Sequence, residues 1–152
     1  MKRALIVAAA AAAFLGMPAY AVSDAECTDM WKRADVNADG NLSDAESQRY
    51  AAAMRVKEKG VPADGRISQA AFMDACRSDV FAPRKADAGA PLKGANSFTE
   101  GQAKDRALAH GVANVSGLKK DDDGIWRGTG MQDGKQVQIA VDYKGNVVSA
   151  SQ

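Results

Sequence analysis

Residues 35–46, which read DVNADGNLSDAE, carry oxygen-bearing side chains at alternate positions around a single glycine. A hard divalent cation such as Ca²⁺ binds about six to eight oxygen atoms, and alternating carboxylate and amide side chains can approach one ion from a single stretch of chain. A glycine at the sixth position suits the sharp turn that such a loop needs. The candidate metal ligands are Asp35, Asn37, Asp39, Asn41 through its backbone carbonyl, Ser43 through a water molecule, and Glu46.

The segments on both sides of this loop have the sequence pattern of helices. Ser23 and Glu26 form a capping box, and the residues behind them repeat apolar side chains on one helical face. Residues 46–59 contain no glycine or proline and predict a second helix. A helix, a loop of this pattern and a second helix resemble an EF-hand, which implies calcium as the bound cofactor. Two alternatives stay open: a surface turn that binds no metal, and a site for a trivalent lanthanide.

Residues 60–72 contain a weaker copy of the loop. The copy repeats the central Asp-Gly step, but glycine, proline and alanine occupy other positions that carry ligands in the first loop. We therefore predict no metal in this second loop. EF-hands pair through a short strand in each loop, so the resemblance implies that Leu42 faces Ile67 and that a third helix follows at residues 68–78. Residues 22–81 are accordingly expected to form an all-α EF-hand pair with one intact and one degenerate loop.

The chain contains two cysteines, Cys27 and Cys76. The EF-hand resemblance places them on the first and last helices of the pair, which are often adjacent. We expect a disulfide between them, and two buried thiols are the alternative. In the chain-entropy model, a bond that closes a loop of about 50 residues contributes ~4 kcal/mol to stability.

Residues 1–21 have the three-part layout of a secretory signal peptide. Lys2 and Arg3 give a positive start, an apolar run follows, and an A-x-A sequence that ends at Ala21 supplies a cleavage site. The apolar run of about 14 residues is shorter than the ~20 that a membrane anchor needs. We therefore predict cleavage after Ala21, a mature chain with no transmembrane segment, and a periplasmic or secreted protein that can keep a disulfide.

The pattern changes after residue 81. Residues 82–95 contain prolines and glycines that interrupt any periodicity, and they predict a linker. Residues 96–152 begin with a capping box and a helix over residues 100–110, after which short runs with strand character are separated by Gly-containing turns. The predicted strands are residues 112–119, 125–131, 135–143 and 146–149. In the third of them apolar residues alternate with the others, which predicts a half-buried antiparallel strand: Val137, Ile139 and Val141 on one side, and Gln136, Gln138, Ala140 and Asp142 on the other. We expect one helix packed on an antiparallel meander of three or four strands, so the fold class of the whole chain is α+β.

Three stretches within residues 96–150, SFTEGQA, GIWRG and VDYKGNVV, resemble a PepSY domain. This family is widespread in exported bacterial proteins and in the propeptides of some secreted peptidases. The resemblance therefore implies a protein-binding or inhibitory role, with an exported protein or a peptidase as the partner. It brings no catalytic residues.

Three other features of this segment are interpreted as structural. The acidic run before Gly124 lacks a carboxylate at the position that would close a calcium loop, so it predicts a hairpin turn. His110 is the only histidine and is expected at a helix C-terminus, where its charge would favour the helix dipole. Trp126 lies inside a predicted strand and is expected to pack in the core or against a neighbouring strand.

The composition narrows the classes of function. Lys and Arg number 20 and Asp and Glu number 19, a balance that gives no support to nucleic-acid binding. The sequence contains no recognisable Ser-His-Asp set and no nucleotide-binding glycine loop, so we do not expect an enzyme. The sequence predicts an exported calcium-binding protein with a C-terminal protein-interaction module. The alternatives are a peptidase-inhibitor-like or envelope-interaction module with a purely structural EF-hand, and a lanthanide-binding protein.

Overall fold

The computed structural model describes residues 22–82 and 89–151. These residues have an α+β fold in which helices are followed by a four-stranded antiparallel sheet, as the sequence predicted. The expected signal peptide and residues 83–88 of the expected linker lie outside the described residues. None of the helices in the two described ranges is long and apolar enough to cross a membrane. The elements are α1 Asp24–Ala34, β1 Asn41–Leu42, α2 Asp44–Val56, β2 Ile67–Ser68, α3 Gln69–Arg77, α4 Glu100–Ala109, β3 Ala113–Lys120, β4 Trp126–Gln132, β5 Lys135–Val141 and β6 Val147–Ser151.

Three of the four described helices begin at a side chain that caps them. Ser23 before α1 and Thr99 before α4 each form the capping box that the sequence predicted. Ser68 accepts a hydrogen bond from the Ala71 N–H at the start of α3. These bonds satisfy backbone donors of the first turn that have no partner within the helix, which fixes where each helix starts.

Helix α2 differs from its expected bounds. The sequence predicted residues 46–59, whereas the helix comprises Asp44–Val56. Near its end Glu58 adopts a left-handed φ of +55°, and the N–H of the following residue bonds back to the Met54 carbonyl. This local closure satisfies a helix carbonyl and ends the helix before residue 59.

The three helices of the N-terminal unit, which we define as residues 22–82, pack around a cluster of aromatic rings. Phe72 is fully buried, and the centroid of its ring lies 5.2 Å from that of Trp31, 4.9 Å from that of Tyr50 and 4.7 Å from that of Phe81. Large rings supply the apolar area that the alanine-rich helices lack. The hydrophobic core of this unit therefore lies between α1, α2 and α3.

Two expected pairings in this unit are confirmed. A disulfide joins Cys27 of α1 to Cys76 of α3, with a Cα–Cα distance of 5.9 Å. Leu42 of β1 pairs with Ile67 of β2, and both side chains are fully buried. The two loops of the unit are thus joined by paired backbone and by packed aliphatic side chains.

The C-terminal unit, which we define as residues 89–151, is a sheet with α4 on one face. Its strands form an antiparallel meander in the order β3-β4-β5-β6. Val137, Ile139 and Val141 of β5 belong to the same hydrophobic cluster as Ala107 and Leu108 of α4. The strand ends lie within two residues of those predicted. The alternation of apolar and polar residues along β5 therefore predicted correctly which side faces the core.

An extended segment before α4 lies against the end of the sheet. The Leu92 N–H donates to Asp142 Oδ2 at 3.1 Å, and the Gly94 N–H donates to the Asp123 carbonyl at 3.0 Å. The indole Nε1 of Trp126 donates to the Phe98 carbonyl at 3.0 Å. The later part of the expected linker is therefore bound to the turns of the sheet.

The two units are in contact through α2 and α4. Ala52 of α2 is fully buried and belongs to the hydrophobic cluster of the C-terminal unit, together with Ala103 and Ala107 of α4. Arg55 and Asp105 form a bidentate ion pair across the same contact, at 2.7 and 2.6 Å. Helix α2 therefore contributes buried residues to the hydrophobic cores of both units.

Candidate metal centre

The first part of the 35–46 loop folds around the Asp35 carboxylate. Helix α1 ends at Ala34, and Asp35 is 8% exposed. Its Oδ1 accepts the Asp39 N–H at 3.2 Å, and its Oδ2 accepts the Gly40 N–H at 3.1 Å. Gly40 has a left-handed φ of +80°, a conformation that costs glycine little. The chain thus turns around a nearly buried carboxylate.

Asn37 and Asp39 are held beside it by bonds within the loop. Asn37 Oδ1 accepts the Asp39 N–H at 3.0 Å, and Asn37 Nδ2 donates to Asp39 Oδ2 at 3.2 Å. Asp39 Oδ1 accepts the Asn41 N–H at 2.8 Å. The structure therefore links three of the predicted ligand side chains, those of Asp35, Asn37 and Asp39, through one set of hydrogen bonds.

Glu46 reaches the same loop from the first turn of α2. Its Oε1 accepts the N–H groups of Val36 and Asn37 at 3.0 and 3.3 Å. Its Oε2 is buried, and no hydrogen-bond partner lies within reach among the described residues. A buried carboxylate oxygen without a partner is destabilising, on the order of 1–3 kcal/mol or more. An acceptor atom with no donor suits a cation, so this oxygen and the all-oxygen donor set of the loop fit Ca²⁺.

The remaining predicted ligands are placed by neighbouring elements. Asn41 lies in β1 opposite Ser68 of β2. Ser43 is the N-cap residue of α2, and its carbonyl accepts the Glu46 N–H at 2.9 Å. The β-ladder and the start of the helix thus fix the backbone at both positions.

The carboxylates are close in the chain but are not gathered around a common point. Within residues 22–82 and 89–151, no set of three or more His, Cys, Asp or Glu side chains is arranged so that it could hold a metal ion. The physical reason is that like charges repel at short distance, while backbone N–H groups stabilise Asp35, Asp39 and Glu46 separately. Two of the predicted ligands are in any case not carboxylates, since Asn37 would bind through its side-chain amide oxygen and Asn41 through its backbone carbonyl.

The second loop is a tight turn. The Gly65 N–H donates to the Pro62 carbonyl at 2.9 Å, and Asp64 Oδ1 accepts the Arg66 N–H at 3.1 Å. Asp64 is exposed. These contacts account for the shape of the turn, and the absence of a metal here stays a prediction.

The acidic run before Gly124 forms a turn between β3 and β4, as expected. Asp121 Oδ1 accepts the N–H groups of Asp123 and Ile125, and Oδ2 accepts the guanidinium of Arg127 at 2.7 Å. The hydrogen bond from the Ile125 N–H and that from Arg127 are the main causes that hold the pKa of Asp121 below its ordinary value. The Asp121 carboxylate therefore stabilises the turn.

Two further interpretations are confirmed. His110 is the C-cap residue of α4. Trp126 is partly buried and packs against the hydrophobic cluster of the C-terminal unit.

Sequence reasoning missed the buried carboxylate of Asp142. The residue has no exposed surface and accepts four hydrogen bonds, from the N–H groups of Leu92, Lys144 and Asn146 and from Asn146 Nδ2. The alternating pattern of the predicted strand 135–143 places Asp142 on the side that faces away from the core. The available signal was an aspartate just before a Gly-containing turn, because such a side chain often accepts the N–H groups of the turn that follows.

Comparisons of the chain with models of known families, with curated proteins and with solved structures find no match. The functional conclusion therefore depends on the geometry and chemistry of the loop.

Proposed function

We propose that the chain is an exported calcium-binding protein. In this proposal the N-terminal unit is an EF-hand pair whose 35–46 loop holds the ion and whose second loop binds none. The ion is held by the side chains of Asp35, Asn37, Asp39 and Glu46 and by the backbone carbonyl of Asn41. Binding to oxygen ligands, rather than catalysis, is the activity.

The observation that carries the proposal is the loop itself, with Glu46 Oε2 buried beside it and without a hydrogen-bond partner among the described residues. Backbone N–H groups already hold the Asp35 and Asn37 side chains at one turn of the loop, because both accept the Asp39 N–H. Three carboxylates provide an excess of negative charge over a divalent cation, which offsets the cost of removing its water. Binding requires these side chains to turn toward a common point, and the loop is long enough for that adjustment.

The direct test is isothermal titration of the purified protein with CaCl₂. We expect a measurable heat of binding, of either sign, at one site. The Kd should be on the order of 10⁻⁴–10⁻³ M or tighter, since extracellular sites are often weak. Glu46→Gln keeps the Oε1 acceptor for Val36 and Asn37 but replaces Oε2 with an amide nitrogen, which cannot bind a cation. It should weaken binding at least about tenfold.

Asp64→Asn is the matched control for that variant. It removes one negative charge from an exposed residue in the second loop, which the proposal leaves without a metal. Its affinity should match that of the wild type. The absence of binding heat for the wild type would refute the proposal, and so would equal losses in the two variants.

A competition experiment separates calcium from a lanthanide. Terbium emission sensitised by Trp31, which is buried in α1, reports Tb³⁺ bound at the nearby loop. If Ca²⁺ displaces Tb³⁺ at comparable concentrations, the site accepts both ions. Displacement that requires a very large excess of Ca²⁺ would favour the lanthanide-binding alternative.

The location and the second unit complete the proposal. The disulfide is consistent with an extracytoplasmic protein, and we propose that the chain is periplasmic or secreted.

We propose that the C-terminal unit is PepSY-like and binds an exported protein or peptidase. What supports the PepSY-like assignment is the order of the elements, one helix followed by a four-stranded antiparallel meander. Inhibition or binding assays with a panel of exported peptidases test the proposed binding, and inactivity against all of them would count against the peptidase partner.

A further inference from the structure

Helix α2 connects the candidate metal loop to the core of the other unit. Glu46 lies in its first turn. On one side of the helix Ala51, Ala53 and Met54 are buried in the N-terminal core, whereas Ala52 is buried in the C-terminal core. A single helix therefore carries a predicted metal ligand at one end and joins both hydrophobic cores at the other.

The contact between α2 and α4 is close and specific. Ala52 is fully buried in the same cluster as Ala103 and Ala107, and small side chains of this kind let two helix backbones approach closely. Arg55 and Asp105 close the contact with two parallel hydrogen bonds. The Asp105 side chain is 19% exposed, so the pair is partly shielded from water.

The same contact extends to the far end of α4. Ala109, the last residue of α4, packs against the N-terminal core. Close-packed cores do not deform continuously, and a helix shift at such an interface changes the packing on both sides. Glu46 and Arg55 are nine residues apart in one uninterrupted helix, about 14 Å along its axis. A movement of α2 relative to the loop would therefore also act on α4.

We propose that cation binding at the 35–46 loop and the docking of α2 on α4 are thermodynamically coupled, so that the metal regulates the C-terminal unit. This inference rests on the proposed function. Docked α2 already places Glu46 Oε1 on the N–H groups at the start of the loop. Docking thus pre-organises the site and raises its affinity. By reciprocity, the cation stabilises the docked arrangement by the same factor.

Hydrogen exchange measured by mass spectrometry tests the coupling on the full protein, with and without CaCl₂. We expect Ca²⁺ to slow exchange in the loop, in α2 and in the amides of α4, although α4 contains no ligand. Calorimetry on the same samples establishes whether the ion binds. Binding with protection of the loop and α2 but unchanged exchange in α4 would overturn the inference and leave the proposed function intact. No binding would refute both.

The reciprocal test uses two variants of the interface. Arg55→Ala and Asp105→Asn both break the α2–α4 ion pair but change the net charge in opposite directions. A loss of Ca²⁺ affinity common to both variants therefore cannot come from long-range electrostatics. We expect each to weaken Ca²⁺ binding by about threefold or more and to reduce the protection of α4, because the loss of one ion pair removes part of a coupling that is typically ~5- to ~150-fold.

Arg127→Ala is the matched control. It removes an Arg–Asp ion pair of 2.7 Å within the C-terminal unit, away from α2. Its Ca²⁺ affinity should stay within about twofold of the wild type. Wild-type affinity in both interface variants, or an equal loss in the control, would overturn the coupling.

Discussion

Asp142 shows how a buried charge can be stabilised by its hydrogen bonds. Burial by itself raises the pKa of this carboxyl group, but the bonds from Leu92, Asn146 and Lys144 act in the opposite direction. Their combined effect leaves the pKa of Asp142 below its ordinary value. The charged form therefore contributes to the stability of the fold at neutral pH, and it ties the segment before α4 to the turn between β5 and β6.

Asp142→Asn should destabilise the protein. An asparagine keeps one acceptor oxygen for the turn, but its amide group faces two donors, the Leu92 N–H and Asn146 Nδ2. Both contacts are only partly buried, and a fully buried donor without an acceptor costs about 1–3 kcal/mol, so we expect a loss of about 1–2 kcal/mol in the free energy of unfolding. Urea denaturation at neutral pH measures it. Asp133→Asn, in an exposed turn, is the control and should change stability by less than about 0.5 kcal/mol.

Asp142 should also make the free energy of unfolding depend on pH. Because the pKa of Asp142 is depressed in the folded state, its stabilising effect is present above the unfolded-state pKa of about 4 and is lost as the pH falls through the folded-state value. Between about pH 5 and pH 3 the wild type should therefore lose more free energy of unfolding than Asp142→Asn. Parallel curves for the two proteins would contradict the assignment.

At the loop, the residue pattern predicted which side chains come together but not how they are bonded. Spacing places Asp35, Asn37 and Asp39 on the inner side of one turn, and the structure links them. The bonds of Glu46 Oε1 to backbone N–H groups, and the isolation of Oε2, could not be predicted. These depend on side-chain rotamers, which are set by the local balance of like charges and backbone donors rather than by spacing.

Among the elements, the link between α1 and α3 has the clearest consequence for stability. The disulfide joins residues separated by 49 positions. Its removal by Cys27→Ser with Cys76→Ser should lower the free energy of unfolding by about 4 kcal/mol in the chain-entropy model. Urea denaturation of the double variant and of the oxidised wild type measures the difference. A loss below about 1 kcal/mol would show that the disulfide does not constrain the unfolded chain as that model requires.

Elements with a strong local signal were predicted well. Capping residues fixed the starts of α1 and α4, and alternation identified β5. The early end of α2 was missed because it depends on a left-handed residue, Glu58, at a position where the sequence offers no glycine. The bound segment before α4 was missed because its partners, such as the Asp123 carbonyl, are groups that a sequence pattern does not reveal.

At the scale of the whole molecule, α2 makes two units into one packed assembly. Its three consecutive alanines, residues 51–53, are all buried but divide between the two cores. Successive residues of a helix point about 100° apart, so each alanine meets a different neighbour. Alanine occurs on both buried and exposed faces of helices. The sequence pattern therefore did not indicate that α2 packs against α4. The position of the two units relative to each other could not be predicted for that reason.

The central claim is that the 35–46 loop binds Ca²⁺ in the folded protein. Thermal unfolding in EDTA and in increasing CaCl₂ tests it most directly, because a ligand that binds only the folded state raises Tm with its concentration. At a concentration about 100 times the wild-type Kd, the stabilisation of ~2.7 kcal/mol should raise the Tm of the wild type by roughly 10 °C, whereas Glu46→Gln, with a Kd at least about tenfold weaker, should gain at most ~1.4 kcal/mol and about half that rise. The same wild-type Tm in EDTA and in saturating CaCl₂, or an equal rise in Glu46→Gln, would contradict the claim.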